Sequence, residues 1–166
     1  THCISSAASD VYKRQVYVWR EDGEAKARFR AVDGTPIEAT GFSSIDVVGL
    51  AAATGAPNVQ FNMAIDVSST RRQGGAMSTE ILIELAGEDL QGTPLRTRHA
   101  VVHPKGAALL TALCVTMLLE RLLGLDGGAP TKPGLYFPYQ LLDRSRFLQR
   151  LQQEGGELRE LQPTDD

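Results

Sequence analysis

Residues 104–124 read PKGAALLTALCVTMLLERLLG, and this stretch decides the fold. Proline suits the first helical position and glycine suits the residue past the end. Between them the chain is apolar nearly all round: Ala107, Ala108, Leu109, Leu110, Ala112, Leu113, Val115, Met117, Leu118, Leu122 and Leu123. The composition predicts one long helix over 104–124, buried on most of its sides. The apolar run is too short to span a bilayer comfortably. A small sheet covers only one side of such a helix. The other side is therefore expected to meet a further domain or a second copy of the chain.

The flanking segments supply the sheet. Leu95 to His103, directly before the helix, reads as the antiparallel partner of Thr79 to Leu85, where Ile81, Ile83 and Leu85 share a face. Gly87 to Pro94 is the loop between them. Asn58 to Asp66 alternates through Val59, Phe61, Met63 and Ile65 and predicts another half-buried strand. Val16 to Arg20 and Ala25 to Val32 flank Asp22-Gly23, a hairpin signal. Asp33-Gly34 then turns into Ile37 to Thr40. In the strand before that turn Ala27, Phe29 and Ala31 face one way, and Lys26, Arg28 and Arg30 face water. Ser43 or Ser44 suits an N-cap for a short helix over Ile45 to Thr54, with Asp46 in its first turn and Gly55 at its end. Beyond the long helix, glycines and prolines of 127–134 form a connector. Phe147, Leu148 and Leu151 mark a short amphipathic helix ended by Gly155-Gly156. The fold class is α+β: an antiparallel or mixed sheet of about five to six strands, one long apolar helix and short C-terminal helices.

Ser5 to Gln15, SSAASDVYKRQ, resembles the in-frame translation of a transposase adapter used in preparing DNA libraries, with Asp10 to Gln15 as its mosaic end. Residues 1–15 are accordingly expected to be adapter-derived and disordered and are set aside from fold reasoning. The natural reading frame then opens at Val16. Residues 16–160 make one α+β domain of substrate-binding and dimerisation type, and 161–166 a disordered acidic tail.

Composition narrows the function. The formal net charge is −3, with 42% hydrophobic and 22% charged residues, so there is no basic footprint for nucleic acid. Neither a secretory signal nor a membrane span is read. Cys3 lies in the adapter stretch, which leaves Cys114 alone, without a disulfide or thiolate metal set. A reducing, cytoplasmic setting is expected.

Motifs for catalysis are sparse. No G-x-G-x-x-G, P-loop or G-x-S-x-G is present, so the chain lacks the usual dinucleotide cradle and the serine-hydrolase elbow. His99 and His103 lie four residues apart in a strand, about 13 Å, too far for one metal ion. The loop Ser68-Ser69-Thr70-Arg71-Arg72-Gln73-Gly74-Gly75 reads in two ways. Arg71 and Arg72 can clamp a carboxylate, with Gly74 and Gly75 letting it approach the backbone, or the stretch is a solvated polar loop. His103-Pro104-Lys105-Gly106 likewise opens the helix either as a plain structural start or as an anion site with an imidazole nearby.

The order of pieces carries a resemblance. His103-Pro104-x-Gly106, Leu110-Thr111-Ala112, the apolar helix, Pro133-Gly134-Leu135-Tyr136-Phe137-Pro138, Leu141-Leu142-Asp143, Phe147-Leu148, Leu151 and Gly155 follow one another as at the C-terminal end of saccharopine-dehydrogenase-like proteins. The resemblance spans Ala39 to Arg159, and Arg72-Gln73-Gly74-Gly75 matches a glycine-rich stretch of that family more loosely. It implies the C-terminal part of an NAD(P)-dependent oxidoreductase whose N-terminal Rossmann domain binds NAD or NADP and is absent from this chain. The chain alone would be inactive and hold no cofactor. The implied partners are that Rossmann domain, a small-molecule substrate and a second copy in a homodimer. The implied site has His103 and Lys105 as catalytic groups, Gly106 at the cofactor, and Arg71, Arg72, Gly74, Gly75 and Tyr136 around the substrate, with no metal. Lys105 and Ala107 depart from the acidic or polar residue and the aromatic common in the family. The alternative is a non-enzymatic, stand-alone α+β module that binds a ligand or dimerises through the 104–124 helix.

Overall fold

The computed structural model describes residues 9–12, 16–19, 25–42 and 45–163. The fold is α+β. Three separate three-stranded antiparallel sheets and five helices stand among the described residues, in place of one sheet of five to six strands with a single dominant helix. The chain forms two compact units.

The first unit holds two of the sheets. β1 (Ser9–Tyr12), β2 (Val16–Trp19) and β5 (Val59–Gln60) form one, in the order β2-β1-β5. Ser9–Tyr12 is thus a strand inside the stretch expected to be disordered. β2 pairs with β1, whereas the hairpin expected across Asp22-Gly23 would have joined it to the following strand. That turn lies outside the described residues, as do Ser43 and Ser44. β3 (Lys26–Arg30), β4 (Pro36–Gly41) and β6 (Asn62–Met63) form the other sheet. β3 and β4 are joined by the expected turn, where Gly34 has φ +84° and donates to the Ala31 carbonyl. Arg28 and Arg30 stay exposed and Phe29 is half-buried, as the alternation requires. The strand expected over 58–66 is split. Val59–Gln60 pairs with β1 and Asn62–Met63 with β4, so Phe61 sits between two sheets. Its ring meets Phe42 edge-on at 6.2 Å between centroids. α1 (Ile45–Thr54) buries Val47, and Gly55, at φ +70°, ends it.

The second unit is built on β7 (Thr79–Glu88) and β8 (Pro94–His103), paired over ten consecutive positions without a bulge. β9 (Glu157–Leu161) lies on the other side of β8, from Arg98↔Leu161 to Val102↔Glu157. The sequence had no alternation to announce β9. Its first four residues include a single apolar one, and Leu161 falls in the stretch expected to be a disordered tail. Two helices pack on one face of this sheet. α3 (Ala107–Leu123) turns Leu113 and Met117 inward, and α5 (Arg144–Gln153) adds Leu151, with Val101, Leu110, Leu142 and Phe147 around them. Asp143 caps α5 by accepting from the Arg146 N–H at 2.8 Å. Gly156 is tight against this core: a Cβ there would stand 2.7 Å from Leu151 Cδ1. Two single-turn helices, α2 (Ser69–Arg72) and α4 (Pro138–Leu141), complete the unit.

α3 begins three residues later than expected. Pro104 and Lys105 belong to a turn closed by Gly106 N–H to His103 C=O, and Gly106 is the N-cap. The end is as expected: Gly124 adopts the left-handed conformation, and its missing Cβ avoids a 2.8 Å clash with the Gly128 carbonyl. The larger departure is burial. Leu109, Val115, Leu119, Leu122 and Leu123 remain substantially exposed, so the chain covers one stripe of α3 and leaves the opposite face, with Val115, Leu119 and Leu122, bare. No helix among the described residues is long and apolar enough to cross a membrane.

Two outcomes follow from this packing. Leu151→Ala removes the side chain that joins α3, α5 and Gly156, and should cost about 2–5 kcal/mol in urea-unfolding free energy. Asp89 closes the β7–β8 turn, its Oδ1 accepting from the N–H groups of Gln91 and Thr93 at 2.8 Å. These backbone donors, Thr93 foremost, hold its carboxyl below the usual carboxylate range. A lowered folded-state value stabilises above the unfolded one and is lost as acid is added. Urea midpoints measured below about pH 4 should therefore fall less steeply for Asp89→Asn than for the parent.

Candidate functional site

The residues singled out by sequence collect at one end of the β7–β8 ladder, with one exception. Thr79 pairs with His103, so the polar loop entering β7 and the turn leaving β8 lie side by side. The loop is a small hydrogen-bonded body. Ser68 caps α2, its Oγ accepting from the Arg71 and Ser78 N–H groups. Ser69 gives both its N–H and its hydroxyl to the Glu80 carboxylate, at 2.6 and 2.9 Å. Ser78 donates to Glu80 as well, at 3.1 Å, and the Thr70 hydroxyl donates to the Ala76 carbonyl at 2.6 Å. Ser68, Ser69 and Ser78 are all buried. Buried hydroxyls need partners, and here each has one within the loop or on β7.

The two arginines have different fates. Arg72 makes a two-point contact with Asp33, Nε to Oδ2 at 2.8 Å and Nη2 to Oδ1 at 2.9 Å. It also donates to the Val67 carbonyl and to Ser69 Oγ. Its fork grips a carboxylate, as the chemistry predicts, but the carboxylate is the chain's own. The Asp33 N–H meets Ser69 Oγ at 3.3 Å, which seats the Ala31–Gly34 turn, itself part of the second unit, on α2. Arg71 is exposed, with one long contact, Nη1 to the Gly75 carbonyl at 3.5 Å. Gly74 and Gly75 close the end of α2. Gly74 has φ +87°, and a Cβ on Gly75 would stand 3.0 Å from the Thr70 carbonyl. The glycines thus serve the turn's own backbone.

His103 lies inside the unit, 1% exposed. Its Nδ1 accepts from the Lys105 N–H at 3.2 Å, which fixes the turn before α3. Lys105 points to solvent. Gly106, at φ +88°, caps α3 without a side chain, so the first-turn N–H groups face outward uncapped. Tyr136 is the exception. Its hydroxyl donates to the Lys132 carbonyl at 3.1 Å and its ring lies over Gly134. Thr131 N–H, just before, bonds the Leu122 carbonyl, so this loop sits at the far end of α3. Seventeen residues of helix span roughly 25 Å, so Tyr136 does not join the other groups.

Three buried or half-buried pairs escaped sequence reasoning: Arg72–Asp33, Arg98–Glu84 at 2.8 Å and Arg150–Glu120 at 2.6 Å. The second was legible in hindsight, since Glu84 and Arg98 are cross-strand neighbours. The Asp33 contact, 39 residues away in sequence, carried no local signal. Burial pushes the Cys114 thiol up, away from the thiolate. No group of three or more His, Cys, Asp or Glu among the described residues can hold a metal ion.

What remains accessible is modest: the cations of Arg71 and Lys105 and the uncapped start of α3, all at one end of the sheet. Positive charge and free N–H groups of this kind favour an anionic neighbour. A dinucleotide needs more. One glycine at a strand-to-helix turn does not reproduce the glycine-rich cradle for a pyrophosphate, so the described residues do not fit NAD or NADP.

Arg72→Ala should cost about 1–3 kcal/mol of stability, because it removes the two-point contact with the Asp33 carboxylate. Arg71→Ala should change stability by less than about 0.5 kcal/mol. Thermal and urea unfolding of the two variants, side by side, check the contrast.

Comparison with protein-family models, curated proteins and solved structures found no match to this chain.

Proposed function

We propose that the chain is the C-terminal, substrate-binding and dimerisation part of a saccharopine-dehydrogenase-like, NAD(P)-dependent oxidoreductase. Hydride chemistry then belongs to a nucleotide-binding domain outside this sequence. One observation carries the reading: α3 keeps Val115, Leu119 and Leu122 uncovered on the face opposite Leu113 and Met117, with Leu109 and Leu123 exposed on its flank. Large contiguous apolar surface at the top of a packed layer marks a contact with another body. The ordered motifs from His103 to Gly155 supply the family, and the family supplies the identity of that body.

Within this reading the chain's own residues bind and position. Arg71 and Lys105 draw an anionic substrate group toward the uncapped N–H groups at the start of α3. His103 positions that turn from behind and transfers no proton itself, since it is sealed inside the unit. Gly106 lets the backbone approach, and Arg72, Gly74 and Gly75 hold the loop that presents Arg71. Nicotinamide cofactors supply hydride transfer when bound by their own domain.

A second reading has its own support. It is the non-enzymatic α+β module, and it is supported by Ser9–Tyr12 taking part in a sheet with β2 and β5. The two readings separate on recovery of the intact locus. The first expects a strand running into G-x-G-x-x-G upstream; an unrelated sequence there would end it. The first reading also expects no NADPH binding by this chain at micromolar concentration in a fluorescence titration. Micromolar binding would contradict it.

A further inference from the structure

β7 has a second edge. Its ten residues are paired to β8 along one side, and no strand among the described residues lies on the other. Exposed edges are ordinarily blunted by proline, lysine, a bulge or short length. β7 is long, regular and free of proline and lysine. It also carries an apolar row. Ile81, Ile83 and Leu85 are 44%, 43% and 54% exposed. They share a face with Val101, which packs against α3 and α5, so the row continues the apolar layer beyond what the two helices cover.

We propose that β7 pairs antiparallel with β7 of a second copy, around a two-fold axis at Ile83, to make one six-stranded sheet. Self-pairing is favoured by charge. With the axis at Ile83, Ile83 faces Ile83 and Ile81 faces Leu85. Glu80 then faces Ala86, and Glu84 faces Leu82. Moving the axis to Leu82 sets Glu80 against Glu84. Moving it to Glu84 sets Glu84 against itself and Glu80 against Glu88. Like charges directly opposite are destabilising. An axis between residues would oppose side chains of different faces, which antiparallel pairing does not allow. Axes at Ile81 and Leu85 also keep like charges apart, but they shorten the overlap and set Ile83 against Thr79 or Gly87; the axis at Ile83 gives the longest pairing and sets the whole apolar row against itself. Glu80 and Glu84 are also already engaged within their own subunit, by Ser69 and Ser78 and by Arg98. This inference does not depend on the oxidoreductase reading.

The test uses the whole chain in a Cys3→Ser, Cys114→Ser background. Sedimentation equilibrium at micromolar concentration should give a dimer. In that background Ile83→Cys should form a disulfide-linked dimer under mild oxidation, because directly opposed residues lie within disulfide reach. Ile81→Cys should not, since its two copies stand four residues apart along the strand, about 13 Å. Ile83→Lys should be monomeric with an unchanged circular dichroism spectrum, and Val115→Lys on α3 should stay dimeric. A monomeric parent, or absence of the Ile83→Cys link, overturns the proposal. Equal linking at position 81 or dissociation by Val115→Lys overturns it too, the last by moving the interface to α3.

Discussion

Backbone hydrogen bonds between Thr79–Glu88 and Pro94–His103 fix the second unit, and little else in it stands without them. Ten regular pairs place Val101 under α3 and α5 and leave Ala100 and Val102 buried on the opposite face. The same ladder brings the α2 loop beside the turn into α3, because its last pair joins Thr79 to His103. β9 then closes the free side of β8, using backbone groups that need no side-chain pattern. Core, candidate site and bare edge are three consequences of one strand pairing.

α3 shows how packing apportions an apolar helix. Its sequence offers apolar atoms in every direction, yet a three-stranded sheet and one companion helix can cover only part of it. The covered stripe contains Leu113 and Met117 and is fastened at the side by Arg150 to Glu120. The Glu120 hydrogen bond and charge hold the Arg150 guanidinium in its protonated form. What is left outside, Val115 and its neighbours, is as apolar as what is inside. Hydrophobicity alone does not choose between the faces.

The polar loop teaches the complementary lesson. Its hydroxyls, arginines and glycines have the composition of an anion site. Most of them answer to the chain's own carboxylates: Glu80 collects Ser69 and Ser78, and Asp33 collects Arg72. A carboxylate drawn partly out of water needs such donors, so the fold consumes the chemistry that composition seemed to offer a ligand. Arg71 and Lys105, on the rim, escape because nothing inside requires them.

The sequence by itself determined the local events. The β7–β8 hairpin, the Asp33-Gly34 turn, the ends of α1 and α3 at Gly55 and Gly124, and the amphipathic α5 were all legible, because periodicity and turn residues act over a few positions. Only the tertiary structure decided the rest. It split 58–66 between two sheets, paired β2 with β1, added β9, and shortened α3 at its start by a turn that His103 stabilises. It also separated Tyr136 from Gly106 by the length of a helix, and gave Arg72 to Asp33. Each of these depends on which distant backbone or charge arrives at a given surface, and no local pattern of residues encodes that arrival.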